Sequence, residues 1–149
     1  MSTMRAYIEE LSRAECRSLL PQSPVGWIAH CSAGRPQLVL VNYVVHGDEV
    51  VVRTGYGSKL AAAAHGLVMS LGVDSIDSAT RTGWSVTVTG PARVIGDEDE
   101  VAVLDLPLVE VWAPGDKETY IGIPLREVSG RRIRLPADHW RPSQWPFQT

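Results

Sequence analysis

The chain of 149 residues has the length of one domain, long enough to bury roughly 68–70% of its unfolded surface. At 44% hydrophobic and 21% charged residues, its composition is that of a globular protein, not a disordered one. Fourteen basic residues against 17 acidic ones, net −3, exclude a general binder of nucleic acid or anionic membranes, which needs excess positive charge.

In chain order, Met1–Leu11 holds no apolar run suited to a signal peptide, and no stretch approaches the ~20 apolar residues of a membrane span. A cytoplasmic protein is expected. Ser12-Arg13-Ala14-Glu15 reads as a capping box opening a helix through Leu19 and Leu20, which Pro21 stops. Val25 to Ser32 reads as a strand and Ala33-Gly34-Arg35-Pro36 as a turn. Gln37 to Val45 and Glu49 to Thr54 are the next strands, joined by a tight turn at His46-Gly47-Asp48. Ser58 to His65, with four consecutive alanines, is a short helix ended by Gly66. Leu67 to Asp74 is a fourth strand and Ser75 to Thr82 a polar loop. Gly83 to Ile95 is a long fifth strand with a bulge or bend at Gly90-Pro91.

Asp97 to Glu100 opens a helix to about Leu106, its acids facing the positive dipole end. Glu118 to Val128 and Arg131 to Leu135 close the pattern, connected over Ser129-Gly130. The 18 valines favour strands. Six or seven antiparallel strands with short helices predict a mainly β fold, a closed or split barrel, since closure removes exposed edges. One domain over residues 1–149 is expected, its barrel core about 11–135. The tail, 136–149, carries Trp140, Trp145 and Phe147 and is expected to pack on the barrel or across a dimer.

The cysteines, Cys16 and Cys31, lack zinc spacing and are read as two buried thiols in a reducing compartment. His30, His46, His65 and His139 are too scattered for a metal site, and none is expected. Trp27 is read as core. The segment Arg53-Thr54-Gly55-Tyr56-Gly57-Ser58-Lys59 carries the most chemistry. A strand delivers Arg53 and Thr54, glycines let the backbone approach a ligand, and Ser58 and Lys59 open a helix. Free helix amides, a guanidinium fork, an ammonium and two hydroxyls suit a phosphate. Only two lysines exist in the chain, and one stands here.

These motifs, in this order, resemble the pyridoxamine 5′-phosphate oxidase-like FMN-binding split barrels, in the flavin-nucleotide-binding branch. The resemblance runs from about Leu11 to Arg132. It is carried by Val25-Gly26-Trp27-Ile28-Ala29, Val41-Asn42-Tyr43, Arg53-Thr54-Gly55 with Gly57-Ser58-Lys59-Leu60, Thr82-Gly83-Trp84-Ser85-Val86 with Gly90-Pro91-Ala92, and Tyr120-Ile121-Gly122-Ile123 with Ser129-Gly130-Arg131-Arg132. The resemblance implies a six-stranded split barrel, a homodimer, and two FMN molecules bound across the subunit interface. It implies that Arg53, Thr54, Ser58 and Lys59 hold the FMN phosphate. It places the strand around Val41 and Asn42, and the backbone near Val52, along the isoalloxazine ring. Trp84 would approach from the second subunit, and Trp112 would line the open side of the pocket or pack the barrel.

The function so implied is an FMN-dependent oxidoreductase acting on a small molecule of unknown identity, with no general acid or base assigned. A flavin carrier or sensor without turnover, and the same fold holding a deazaflavin or haem, are the alternatives.

Overall fold

A computed structural model describes residues 7–55, 60–61, 64–96 and 118–134. The expected helix from Asp97, Trp112 and the tail from 136 lie outside them, as do Ser58 and Lys59. The elements are β1 (Tyr7–Glu10), α1 (Arg13–Leu19), a 3-10 turn (Leu20–Gln22), β2 (Val25–Ser32), β3 (Arg35–His46), β4 (Glu49–Gly55), β5 (Val68–Asp77), β6 (Thr82–Pro91), β7 (Arg93–Ile95), β8 (Glu118–Pro124) and β9 (Glu127–Arg134). All pairings are antiparallel, in the order β1-β9-β6-β5-β2-β3-β4-β8-β7.

The ring closes because β6 and β7 are one strand bent at Pro91-Ala92. Its first half pairs β5 and its second half pairs β8. Six strands therefore make the wall: β2, β3, β4, β8, the β6–β7 strand and β5. β9 and β1 extend the sheet from β6 outside the ring. The sequence places the bend correctly, where Pro interrupts a strand that could not otherwise turn.

Alternation fills the interior. Ile28, Val50, Val52, Met69, Leu71, Val86, Val88, Ile121 and Ile123 all point inward, each at most 1% exposed. Helix α1 closes one side of this core through Cys16 and Leu19. Its start is the expected capping box, with Glu15 N–H donating to Ser12 Oγ and Ser12 N–H to a Glu15 carboxylate oxygen, both at 3.2 Å. Two arginines of α1 fix it to the barrel. Arg13 donates to the carbonyls of Leu125 and Arg126, and Arg17 to Asp48 at 2.8 Å. The buried Tyr43 hydroxyl donates to the Leu20 carbonyl, and burial pushes its phenol well above the usual value.

Four expectations are corrected. Ser75–Asp77 continue β5, and the turn is confined to 78–81, where Asp77 accepts from Ala79 N–H at 2.9 Å and Thr80 N–H at 3.3 Å. Those two bonds hold the Asp77 carboxyl below its ordinary range. The stretch read as one strand, Glu118 to Val128, breaks at Leu125-Arg126 into β8 and β9, which do not pair with each other: β8 pairs with β4 and β7, and β9 with β6 and β1.

Ser129-Gly130, read as a turn, lies inside β9. A Cβ on Gly130 would come within 2.6 Å of Cys16 Sγ, so the glycine is there to let α1 approach the sheet. Finally, Trp27 and Cys31 occupy the odd positions of β2, which face outward. Trp27 is 48% exposed and Cys31 is exposed, whereas Cys16 alone of the two thiols is buried.

Candidate functional site on the outer wall of the barrel

Strand register decides which side chains meet. Asn42 of β3 stands directly opposite Arg53 of β4, Arg53 opposite Tyr120 of β8, and Tyr120 opposite Ile95 of β7. These four residues form one cross-strand row on the outer face of the wall, since their neighbours Tyr43, Val52 and Ile121 point into the core. The adjacent row is Val44, Val51, Gly122 and Arg93. Val51 and Ile95 are buried at 2% and 5%, with Val44 and Tyr120 packed on them, so this outer surface has its own small apolar cluster.

Within that row Asn42 has a specific deficit. Its amide nitrogen Nδ2 is buried and has no hydrogen-bond partner among the described residues. A buried donor left unpaired costs about 1–3 kcal/mol. The position therefore calls for an acceptor that those residues do not supply. Arg53 lies on the same face, half-buried, and Thr54 follows it at the strand end, half-buried and opposite Thr119. After Gly55 the chain enters the segment leading to Leu60 and Ala61, which are helical and buried against the barrel at 2% and 9%. Thus a cation and an unsatisfied amide donor share the outer face near the end of β4, with the Thr54 hydroxyl next in the chain.

The other expected residues fall as follows. Val41 and Val52 are buried at 5% and 0% with their side chains in the core, so only their backbone belongs to the wall. Trp84 of β6 is half-buried, packs on the barrel core and stands opposite Ser75 and Arg132. It lies on the core side of the wall and shares no register row with Arg53, which faces outward, so one chain does not pair the two. Ser58, Lys59 and Trp112 lie outside the described residues.

Tyr120 joins the row without having been singled out from sequence. Its only sequence signal is that an alternating strand must put it on the face opposite Ile121. Among the described residues no group of three or more His, Cys, Asp or Glu is placed to hold a metal, and no helix is long and apolar enough to cross a membrane.

A six-stranded antiparallel ring extended by two strands outside it, with short peripheral helices, defines the class of the split β-barrel. The comparisons agree and go further. The chain belongs to the pyridoxamine 5′-phosphate oxidase family, whose model matches residues 12–132. The uncharacterized protein Rv0080 of Mycobacterium tuberculosis is 32% identical over 140 residues, covering 91% of this chain and 90% of that protein.

Among solved structures, the FAD binding protein from Mycobacterium smegmatis superposes with a TM-score of 0.67 at 27% identity. It covers 86% of this chain and 100% of that one. A putative pyridoxamine 5′-phosphate oxidase from Corynebacterium glutamicum superposes with a TM-score of 0.74 at 22% identity, over 90% of this chain and 99% of that one.

Proposed function

We propose that this protein is an FMN-dependent oxidoreductase of the cytoplasm that works as a homodimer, with a flavin at each subunit interface and a small molecule as substrate. The observation that carries the flavin is the unpartnered Nδ2 of Asn42 beside Arg53. A flavin ring offers carbonyl oxygens and ring nitrogens as acceptors, and its phosphate suits Arg53 and Thr54 at the end of β4 together with Ser58 and Lys59, which follow in sequence. The residues present therefore fit the group. The flavin, when bound, supplies the redox chemistry, and the protein supplies binding and orientation. Asn42 donates a hydrogen bond to the ring edge, Arg53 balances phosphate charge, and the Val51–Ile95 cluster keeps water from the adjoining wall. The name of the M. smegmatis relative supports a flavin for this chain and makes FAD the alternative to FMN.

The dimer is supported by the outer face of β2, β3 and β5. Trp27 faces Leu40 and Ala29 faces Leu38 across the strands. Leu38 is 70% exposed, Val68 64% and Leu40 47%. A contiguous apolar sheet face of this kind marks an interface, and a second copy brings Trp84 of the partner within reach of the flavin. The free thiols Cys16 and Cys31 support a reducing compartment.

The test is purification followed by a visible spectrum, extraction of any bound flavin and light scattering. Flavin absorption with released FMN, and twice the chain mass, are the expected results. Released FAD would correct the cofactor. A Soret band, or protein that takes up no added flavin, would overturn the reading. Reduction by a nicotinamide cofactor and reoxidation by an acceptor separate an enzyme from a carrier.

A further inference from the structure

A second concavity lies on the outer face at the other end of the sheet, where β1 stops short of the end of β9. It has a volume of about 430 Å³ and is lined by Glu10, Ser85, Thr87, Ser129 and Arg131, with Leu11, Val128 and Gly130 completing it. Register builds it. Ser85 stands opposite Arg131, Thr87 opposite Ser129, and Glu10 opposite Arg131. Beyond Glu10 the chain leaves the sheet, and β9 has no strand partner on that side over 127–130. Leu11 N–H alone caps the Gly130 carbonyl there, at 3.0 Å.

The arginines of β9 are not alike. Arg134 pairs with Glu9 at 2.8 Å and Arg132 with Glu15 at 3.7 Å. Arg131 makes no ion pair or hydrogen bond among the described residues, although Glu10 is its register partner. The hydroxyls of Ser85, Thr87 and Ser129 are likewise without protein partners among the described residues. One unpaired guanidinium and three unpaired hydroxyls around one hollow are the donor set that recognises an oxyanion. A carboxylate at its rim, held apart from the guanidinium, repels a bare anion. It favours a molecule that also carries an ammonium or hydroxyl group.

We propose that this hollow is a binding site for a small dipolar molecule, with a phosphate or carboxylate on Arg131 and the three hydroxyls and a cationic or hydroxyl end on Glu10. It is built by a single protomer and does not rest on the flavin or dimer readings. It shares no residue and no register row with Asn42 and Arg53, which makes it a separate site on the chain.

The experiment is amide NMR of the full chain, with and without added flavin, titrated with inorganic phosphate, acetate and O-phosphoethanolamine. Saturable shifts at Ser85, Thr87, Ser129 and Arg131 in both forms are expected, with O-phosphoethanolamine binding more tightly than phosphate. Acetate shifting the same amides more strongly than phosphate would keep the site and assign it to a carboxylate.

Arg131→Gln is expected to weaken the oxyanion probe about tenfold or more, the scale of a lost charge-assisted bond. Glu10→Gln should abolish the preference for O-phosphoethanolamine over phosphate. Shifts that never saturate at millimolar probe, shifts confined to Arg53 and Thr54, or an Arg131→Gln variant that binds as wild type would each overturn the proposal. Because the flavin-free form is titrated too, failure here is distinguishable from failure of the flavin reading.

Discussion

Replacing Asn42 by leucine separates the two consequences of its buried, unpartnered amide. Without flavin, Nδ2 has been removed from water and given nothing in return among the described residues. That desolvation costs about 1–3 kcal/mol. Leucine keeps the number and branching of heavy atoms though it is bulkier, suits the pleated outer wall better than asparagine, and joins Leu40 on the same strand face. The flavin-free variant is therefore expected to be more stable, by about 1–2 kcal/mol, or roughly 2–8 °C in Tm at 2–4 °C per kcal/mol for a chain of this size.

With flavin the sign reverses. The ring loses one neutral hydrogen bond, worth about 0.5–1.5 kcal/mol, so its Kd rises roughly 2- to 13-fold. Thermal unfolding followed by circular dichroism reads the first effect, and quenching of flavin fluorescence on titration reads the second. A flavin-free variant that is less stable than wild type, with an unchanged flavin Kd, would refute the reasoning. Asn42 would then be a structural residue with a partner of its own.

Arg53→Ala is expected to weaken FMN binding by about 1–3 kcal/mol, the range for a charged hydrogen bond, and the same titration checks it. Leu38→Lys should convert the dimer to a monomer in light scattering, because it sets a charge on an apolar face that is 70% exposed in the single chain at that residue. Gly130→Ala should destabilise the fold by about 1–3 kcal/mol in urea unfolding, since its Cβ meets Cys16 Sγ at 2.6 Å and the Ser85 carbonyl at 2.9 Å.

Stability is expected to fall in alkali. Burial raises both the Cys16 thiol and the Tyr43 phenol above their ordinary values of 9.0 and 10.0. The unfolded chain therefore loses these protons first. The contribution is whole below about pH 9 and is lost as pH rises through the folded values. Tyr43→Phe should flatten the part of that loss above pH 10, as measured by Tm against pH.

The sequence determined what depends on near neighbours. Ser12 and Glu15 are three residues apart, so the capping box could be read and its bonds follow. Val25–Ser32 reads as a strand ahead of the Ala33-Gly34 turn and forms β2 with those bounds. The bend at Gly90-Pro91-Ala92 followed from a proline in a strand pattern. The run from Arg53 to Lys59 reads as suited to a phosphate because its parts are contiguous, and of it residues 53–55 are described, as the end of β4.

What stayed hidden depends on partners far along the chain. Ser129-Gly130 has the composition of a turn, and only the approach of Cys16, more than a hundred positions earlier, explains a glycine inside β9. Trp27 and Cys31 are apolar enough for a core. Pairing with β3 and β5 fixed which face of β2 is inward, and it put both outside. The row of Asn42, Arg53, Tyr120 and Ile95 joins four strands separated by up to 78 positions, and no local pattern marks it. The sequence thus supplied most of the strands. Strand register, set by packing around one closed core, decided which outward side chains stand together.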